Sequence, residues 1–289
     1  MKRRALGKGG PEVFPLGLGG MPLSITGRPA EDQAVRTVWA ALDAGMELID
    51  TADVYCLDDA DMGHNERLIA KALRQWKGKR PLVATKGGLR RPKGDWTRDA
   101  RPARMKEACE ASLKALGVDT IDLYQLHAPD EKVRYEDTLG ALAELKKAGK
   151  VRWVGLSNVT VDQIRTALPI VPVATVQNRF SPFFREAEKT GVLKACEELG
   201  IGFLAYSPVG GGRLHKKLPD HPVVRTVAQR LGTSVHGAVL AWVLAKSPNA
   251  IPIPGASRPE NAVSSAAAAE LLLSSADVAA IDAAAFSTE

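Results

Sequence analysis

Apolar and polar positions follow two rhythms along this chain. Short runs of aliphatic and β-branched residues occur over residues 13–19, 47–51, 81–86, 120–127, 152–157, 173–177, 201–207 and 250–254. They predict eight strands. The stretches between them carry a helical period: residues 32–44 place Ala34, Val35, Val38 and Leu42 on one face, residues 102–116 open on Pro102, and residues 135–148 run up to a terminating Gly149. Strand and helix in strict alternation imply a parallel sheet with right-handed crossovers. The strands hold few polar residues, which fits an α/β fold closed as a (β/α)8 TIM barrel, one domain over residues 1–289, better than an open sheet. An open doubly wound sheet would carry a phosphate loop, and Gly17-Leu18-Gly19-Gly20-Met21-Pro22 lacks the last glycine of that pattern. Residues 2–13, with Gly7, Gly9 and Gly10 in their middle, predict a β-hairpin able to plug the barrel floor. The Ala-rich stretches 262–270 and 276–285 predict outer helices.

Composition narrows the picture. Of 289 residues, 45% are hydrophobic and 25% charged, the balance of a globular protein with a large core rather than a disordered chain. No apolar run approaches the roughly 18 residues of a membrane span, and the Met1-Lys2-Arg3-Arg4 start leads into no apolar leader. A cytoplasmic protein without membrane contact is expected. Cys56, Cys109 and Cys196 have no paired spacing, so reduced thiols are expected, with neither zinc nor disulfides.

The net charge of +6 raises the question of an anionic partner. Arg90, Arg91, Lys93, Arg98, Arg101 and Arg104 form the densest basic stretch, but Asp95 and Asp99 interrupt it and Trp96 is its one aromatic. It reads as a solvated loop leading into a helix, not as a nucleic-acid surface.

Chemistry in a barrel gathers where strands end. The second predicted strand ends on Asp50 and runs on to Tyr55, the third ends on Lys86 and the fourth on His127. Singly, each has a plain alternative: Asp50 a helix cap, Tyr55 packing, Lys86 a rim charge, His127 a satisfied barrel histidine. Together they are harder to dismiss, because a lysine and an aspartate inside an apolar barrel must pair. A phenol ordinarily titrates near 10. An ammonium beside it favours the phenolate, so the expected effect of Lys86 is to lower the pKa of Tyr55 and make it a usable acid or base. A neutral His127 could orient a substrate oxygen.

These residues resemble the aldo-keto reductase family. The matching stretches are Leu48-Ile49-Asp50-Thr51-Ala52 with Tyr55 and Asn65-Glu66, Ala84-Thr85-Lys86-Gly87 and Asp122-Leu123-Tyr124-Gln125-Leu126-His127-Ala128-Pro129-Asp130. They continue through Gly155-Leu156-Ser157-Asn158, Val176-Gln177-Asn178, Ala205-Tyr206-Ser207-Pro208 and Ile253-Pro254-Gly255-Ala256-Ser257-Arg258. The likeness spans nearly the whole chain. It implies an oxidoreductase that reduces aldehydes, and some ketones, to alcohols by hydride transfer from NADPH, favoured over NADH. Tyr55 would be the proton donor, Lys86 and Asp50 the pair that tunes it, and His127 the orienting group. Tyr206 would stack on the nicotinamide while Ser157, Asn158 and Gln177 hold its carboxamide. Ser207, Pro208, Gly210, Gly211 and Gly212 would follow the pyrophosphate, and Ser257 and Arg258 the adenosine 2′-phosphate. Gly20, Met21, Ile253, Gly255 and Asn261 complete the expected cofactor contacts.

The chain departs from the family pattern in three places. Cys56 replaces the glycine after the tyrosine, and Asp58, Asp59 and Asp61 lengthen the following loop, which reads as a solvated rim rather than a metal site. Val263-Ser264-Ser265 stands where many members carry adenine contacts, and little chain follows the last helix to roof the pocket. An open substrate site is therefore expected, walled by Met21, Val54, Trp96 and His127 with residues 128–134, for a small-molecule carbonyl substrate and a monomer or weak oligomer. The basic stretch 90–104 follows the third strand and is expected to steer anionic substrates or the cofactor toward the mouth. A Schiff-base role for Lys86 is disfavoured, since a lysine tied to Asp50 stays protonated. No H-x-H or H-E-x-x-H occurs among the histidines, which argues against a metal-dependent hydrolase.

Overall fold

A computed structural model describes residues 3–289. Lys2, the first residue of the expected hairpin, lies outside the described residues. The chain opens with β1 (Arg4–Ala5) paired antiparallel with β2 (Glu12–Val13). Then come β3 (Leu18–Gly19), α1 (Glu31–Asp43), β4 (Leu48–Asp50), α2 (His64–Gln75) and β5 (Leu82–Gly87). A small hairpin, β6 (Leu89–Arg90) with β7 (Thr97–Arg98), precedes α3 (Pro102–Leu116), β8 (Ile121–Leu126), α4 (Tyr135–Lys147), β9 (Val151–Ser157) and α5 (Val161–Ala167). The remainder is β10 (Val173–Arg179), α6 (Glu186–Lys189), α7 (Val192–Leu199), β11 (Gly202–Tyr206), α8 (Pro222–Leu231), α9 (Val235–Lys246), β12 (Ala250–Pro252), α10 (Pro259–Ala267) and α11 (Ser275–Ala283).

Eight parallel strands form one sheet in the order β12-β11-β10-β9-β8-β5-β4-β3. Its two edges meet. The Gly17 and Gly19 amides donate to the Pro252 and Pro254 carbonyls at 3.0 and 2.9 Å, and Gly19 bridges Gly255 in parallel register. Closure requires glycine at position 19, because a Cβ there would lie 2.7 Å from the Ile253 carbonyl oxygen. The fold is therefore a (β/α)8 barrel, and the open-sheet alternative is excluded. Helices pack outside through apolar faces such as Leu68, Ile69 and Ala72 of α2, which cover the outward strand residues in one continuous core. The hairpin plugs the floor: Leu6 is fully buried against Leu48, Ala84, Leu123, Leu204 and Ile251, and Gly7 bridges Ile201.

Three sequence expectations change. The run 13–19 is not one strand, because Val13 belongs to the floor hairpin and only Leu18–Gly19 joins the barrel. Pro15 interrupts it with no N–H to give, and the Phe14 amide turns to the Glu47 carboxylate at 3.0 Å. The helix expected over 262–270 begins earlier, with Pro259 in its first turn, and tightens into a 3₁₀ turn at Ala268–Glu270. The stretch 90–104 is solvated over most of its length and leads into α3, but it forms a hairpin, and one of its cations leaves solvent. Arg91 is buried, its guanidinium 4.0 Å over the Trp96 ring and donating to the carbonyls of Cys56 and Leu57. No helix among the described residues is long and apolar enough to cross a membrane.

Candidate active site

Asp50 and Lys86 sit on adjacent strands near their carboxyl ends, where Asp50 is in register with Ala84. Tyr55 lies on the turn that follows β4. That turn is pinned at both sides: the Asp53 amide reaches the Lys86 carbonyl, the Tyr55 amide the Ala52 carbonyl, and the Gly63 amide the Asp53 carbonyl at 2.7 Å. Asn65, at the start of α2, accepts from the Thr51 hydroxyl at 2.6 Å and donates to the Gly20 carbonyl at 2.8 Å. It ties the ends of β3 and β4 together, and with them the support under Tyr55.

The fully buried Lys86 ammonium has three acceptors for its three donors: Asp50 Oδ2 at 2.6 Å, the Thr51 carbonyl at 2.9 Å and Tyr55 Oη at 2.9 Å. Gln177 Nε2 donates to the other Asp50 oxygen at 2.7 Å, and Gln125 lies 3.4 Å from the same atom. Asp50 is thus neutralised and fully solvated by protein. Burial presses Lys86 toward its neutral form, and the Asp50 charge and hydrogen bond oppose that shift.

Tyr55 differs from expectation. Its pKa is raised well above the ordinary phenol value, first by burial and then by the Asp50 charge, so the net shift is upward despite the hydrogen bond from Lys86. Burial is the largest cause, and the Asp50 carboxylate, held by the same ammonium, adds to it. Tyr55 therefore stays protonated, which suits a donor and not a base. Burial, then the Lys86 charge, holds His127 well below its ordinary value, so the imidazole is neutral. Its ring meets that of Tyr55 edge-on at 5.8 Å, and its Nδ1 is buried without a partner. Trp96 closes the group, its ring centroid 6.4 Å from both Tyr55 and His127.

The other expected residues line the same rim. Tyr206 Oη donates to Asn158 Oδ1 at 2.8 Å, and Asn158 Nδ2 donates to the His127 carbonyl at 2.9 Å and the Ser157 hydroxyl at 3.1 Å. Asn158 and Ser207 adopt left-handed backbone at φ 58° and 49°, and Gly210, Gly211 and Gly212 follow at φ 95°, 63° and 43°. Pro208 is buried beneath them. Across the barrel closure, the Gly20 amide donates to the Asp50 carbonyl at 2.7 Å, and Met21 is exposed beside it. The Ile253 amide donates to the Ala205 carbonyl, Gly255 is exposed, and Ser257 and Arg258 lead into α10, where the Asn261 amide returns to the Arg258 carbonyl.

Val54, expected on the pocket wall, is a correction. It is fully buried with Ala52, Leu89 and Ala128 behind Tyr55 and has no surface to offer a substrate. The steering role of the basic stretch also weakens, since its cations are answered locally: Arg101 and Arg90 by Asp99, Arg98 by Glu131, Arg104 by Asp53. The three loop carboxylates have protein roles. Asp58 accepts from the Ala60 amide, Asp59 from the Arg91 amide, and Asp61 pairs with Arg28 at 2.6 Å.

Sequence reasoning gave no role to Gln125, Asn65 or Arg91. Gln125 had a signal, a polar side chain between Tyr124 and Leu126 in a buried strand. Arg91 had none, because its burial depends on where a hairpin folds.

Known proteins resemble this chain in sequence and in fold. The family model described as "Aldo/keto reductase family" matches residues 15–285. An uncharacterised oxidoreductase of Schizosaccharomyces pombe is 36% identical over 272 residues, 92% of this chain and 85% of its own. Among solved structures, a glycerol dehydrogenase from Gluconobacter oxydans aligns at TM-score 0.83 and 30% identity over 94% of this chain and 91% of its own. A Klebsiella pneumoniae aldo-keto reductase, in complex with NADPH, aligns at TM-score 0.82 and 29% identity over 98% and 95%.

Proposed function

The chain belongs to the aldo/keto reductase family, and from that premise we propose that it reduces aldehydes, and some ketones, to alcohols with NADPH, Tyr55 donating the proton. The observation that carries this reading is the Lys86 ammonium touching both Asp50 and Tyr55 inside the barrel mouth.

The residues present fit a nicotinamide dinucleotide. Gln177 spends its Nε2 on Asp50 and Gln125, which leaves its Oε1 to accept from a carboxamide. Ser157 and Asn158 lie beside it, and the Tyr206 ring is half exposed at the rim for stacking. The glycines 210–212 let backbone approach a pyrophosphate, with Ser207 and Pro208 at their start. Arg258, exposed ahead of α10 with Ser257 and Asn261, suits a 2′-phosphate, which is the basis for preferring NADPH to NADH. Gly20, Met21, Ile253 and Gly255 border the same groove. The NADPH in the similar Klebsiella structure supports the choice.

When bound there, a reduced nicotinamide would supply a hydride for the carbonyl carbon. The protein's own work is done around the oxygen. Tyr55, held protonated by burial, gives its proton as negative charge grows there, and neutral His127 orients the oxygen by hydrogen bonding. The resulting phenolate sits 2.9 Å from the Lys86 ammonium, which stabilises it, and Asp50 keeps that ammonium charged and fixed. Because these donors are in place before the reaction, little reorganisation is required. Trp96, His127 and Met21 form the wall that a substrate meets. The three buried, unpaired thiols suit a reducing compartment, so we place the enzyme in the cytoplasm, as a monomer or weak oligomer.

The test is NADPH oxidation against a panel of aliphatic, aromatic and sugar-derived aldehydes and ketones, repeated with NADH and with Arg258→Ala. The reading requires turnover with NADPH, a raised KM for NADPH in the variant, and an unchanged KM for NADH. No oxidation with any carbonyl compound would overturn it.

A further inference from the structure

A second cleft lies outside the barrel, between α2 and α3 and next to Arg90 of β6, with a volume of about 690 Å³. Its charges are unevenly matched. The carboxylates that line it are engaged: Asp53 and Glu107 with Arg104 at 3.2 and 3.6 Å, Asp59 with the Arg91 amide at 3.1 Å, and Glu66 with the Thr85 hydroxyl at 2.5 Å. Arg104 and Arg90 are paired, but the other cations are not. Among the described residues, Arg67, Arg74 and Lys114 line the cleft with no carboxylate within ion-pair distance, and Arg67 reaches only the Met62 carbonyl. The surplus is positive and faces the opening.

The inner end is unsatisfied as well. Asp53 is 3% exposed, and its Oδ1 is buried without a partner. Arg104 Nε, on the other member of that pair, is also buried without one. Burial pushes the Glu66 carboxyl up to about 7, and burial followed by the Glu66 charge raises that of Asp53 well above its usual range. Both shifts weaken the negative charge at the inner end of the cleft.

We propose that this cleft is a second, non-catalytic binding site for a small multivalent oxyanion, a phosphate ester or a di- or tricarboxylate. Two arginines of α2, Arg67 and Arg74, and Lys114 of α3 supply the unpaired cations, and the cleft has room for an anion larger than a single phosphate. The site abuts the active-site turn. Asp53 precedes Tyr55 by two residues, and its backbone is held by the Lys86 carbonyl and the Gly63 amide.

Calorimetric titration of the full chain with inorganic pyrophosphate and, separately, with citrate tests this. The protein is first saturated with NADPH so that any cofactor-phosphate subsite is filled. One binding event is expected for at least one of the two anions, weakened tenfold or more in Arg74→Gln/Lys114→Gln. Both residues are exposed, so the melting temperature and NADPH affinity should be unchanged; if the pair fails to fold, Lys114→Gln alone serves with a threefold or greater loss expected. Binding of pyrophosphate alone identifies a phosphate ester as the occupant, and binding of citrate alone a polycarboxylate. No binding at millimolar anion, or equal affinity in parent and variant, overturns the proposal.

Discussion

Replacing Lys86 by methionine removes one buried charge and leaves its partner in place. The ammonium makes three hydrogen bonds at 2.6–2.9 Å, and the side chains of the pair are 0% and 3% exposed, so Asp50 Oδ2 is left charged, buried and undonated. Breaking a buried pair in this way destabilises by about 3–5 kcal/mol. Gln177 and Gln125 still face the other Asp50 oxygen at 2.7 and 3.4 Å, which places the loss near the lower end, roughly 3 kcal/mol. In a domain of this size each kcal/mol moves the midpoint by about 2 °C, so Tm should fall by about 6 °C. Removing both charges in Asp50→Leu/Lys86→Met should restore most of that, because a pair replaced by apolar side chains of similar volume is close to neutral. Thermal unfolding followed by circular dichroism at pH 7, without cofactor, measures all three proteins. A Lys86→Met variant melting within a degree of the parent, or a double variant less stable than the single, would refute the reasoning that Asp50 depends on Lys86.

Two further outcomes follow from burial. Leu6→Ala should destabilise by roughly 2–5 kcal/mol, as expected for a fully buried leucine, while leaving kcat unchanged, because the floor lies at the far end of the barrel from Tyr55; a large loss of activity in the folded variant would contradict the assignment of floor and mouth. Glu66 titrates near 7 in the fold and near 4.5 when unfolded, so its contribution is complete below pH 4.5 and is lost as pH rises through 7, a change of roughly 3 kcal/mol. Glu66→Gln should therefore gain on the parent in urea unfolding between pH 5 and 8, and parallel stability profiles would show that Glu66 is not protonated in the fold.

Much of this architecture was legible in the order of residues. The strands carrying Asp50, Lys86 and His127 are short apolar runs with one ionisable residue at the carboxyl end, a pattern that barrel geometry turns into convergence at one mouth. The first barrel strand was misjudged because Phe14 and Leu16 continue its apolar run while hydrogen bonding divides it, and hydropathy does not record which chain an amide meets. Val54 reads as pocket wall by its nearness to Tyr55, but the turn faces it inward. The direction of the Tyr55 shift was also out of reach, since it depends on how completely the phenol leaves water and on the nearby Asp50 charge. The cleft between α2 and α3 had no sequence signature. Arg67 and Arg74 share a face of one helix, but Arg104 and Lys114 come from another, and only packing brings the two faces together.

The proposed reduction turns on Tyr55 giving up its proton to the carbonyl oxygen. Single-turnover reduction by Tyr55→Phe, with NADPH affinity measured by quenching of protein fluorescence in the same preparation, tests it most directly. Loss of the hydride-transfer rate by roughly 10²–10⁴-fold, with cofactor binding and melting temperature close to the parent, is the predicted result. A variant that binds NADPH and reduces the same aldehyde at the parental rate would show that the proton comes from elsewhere.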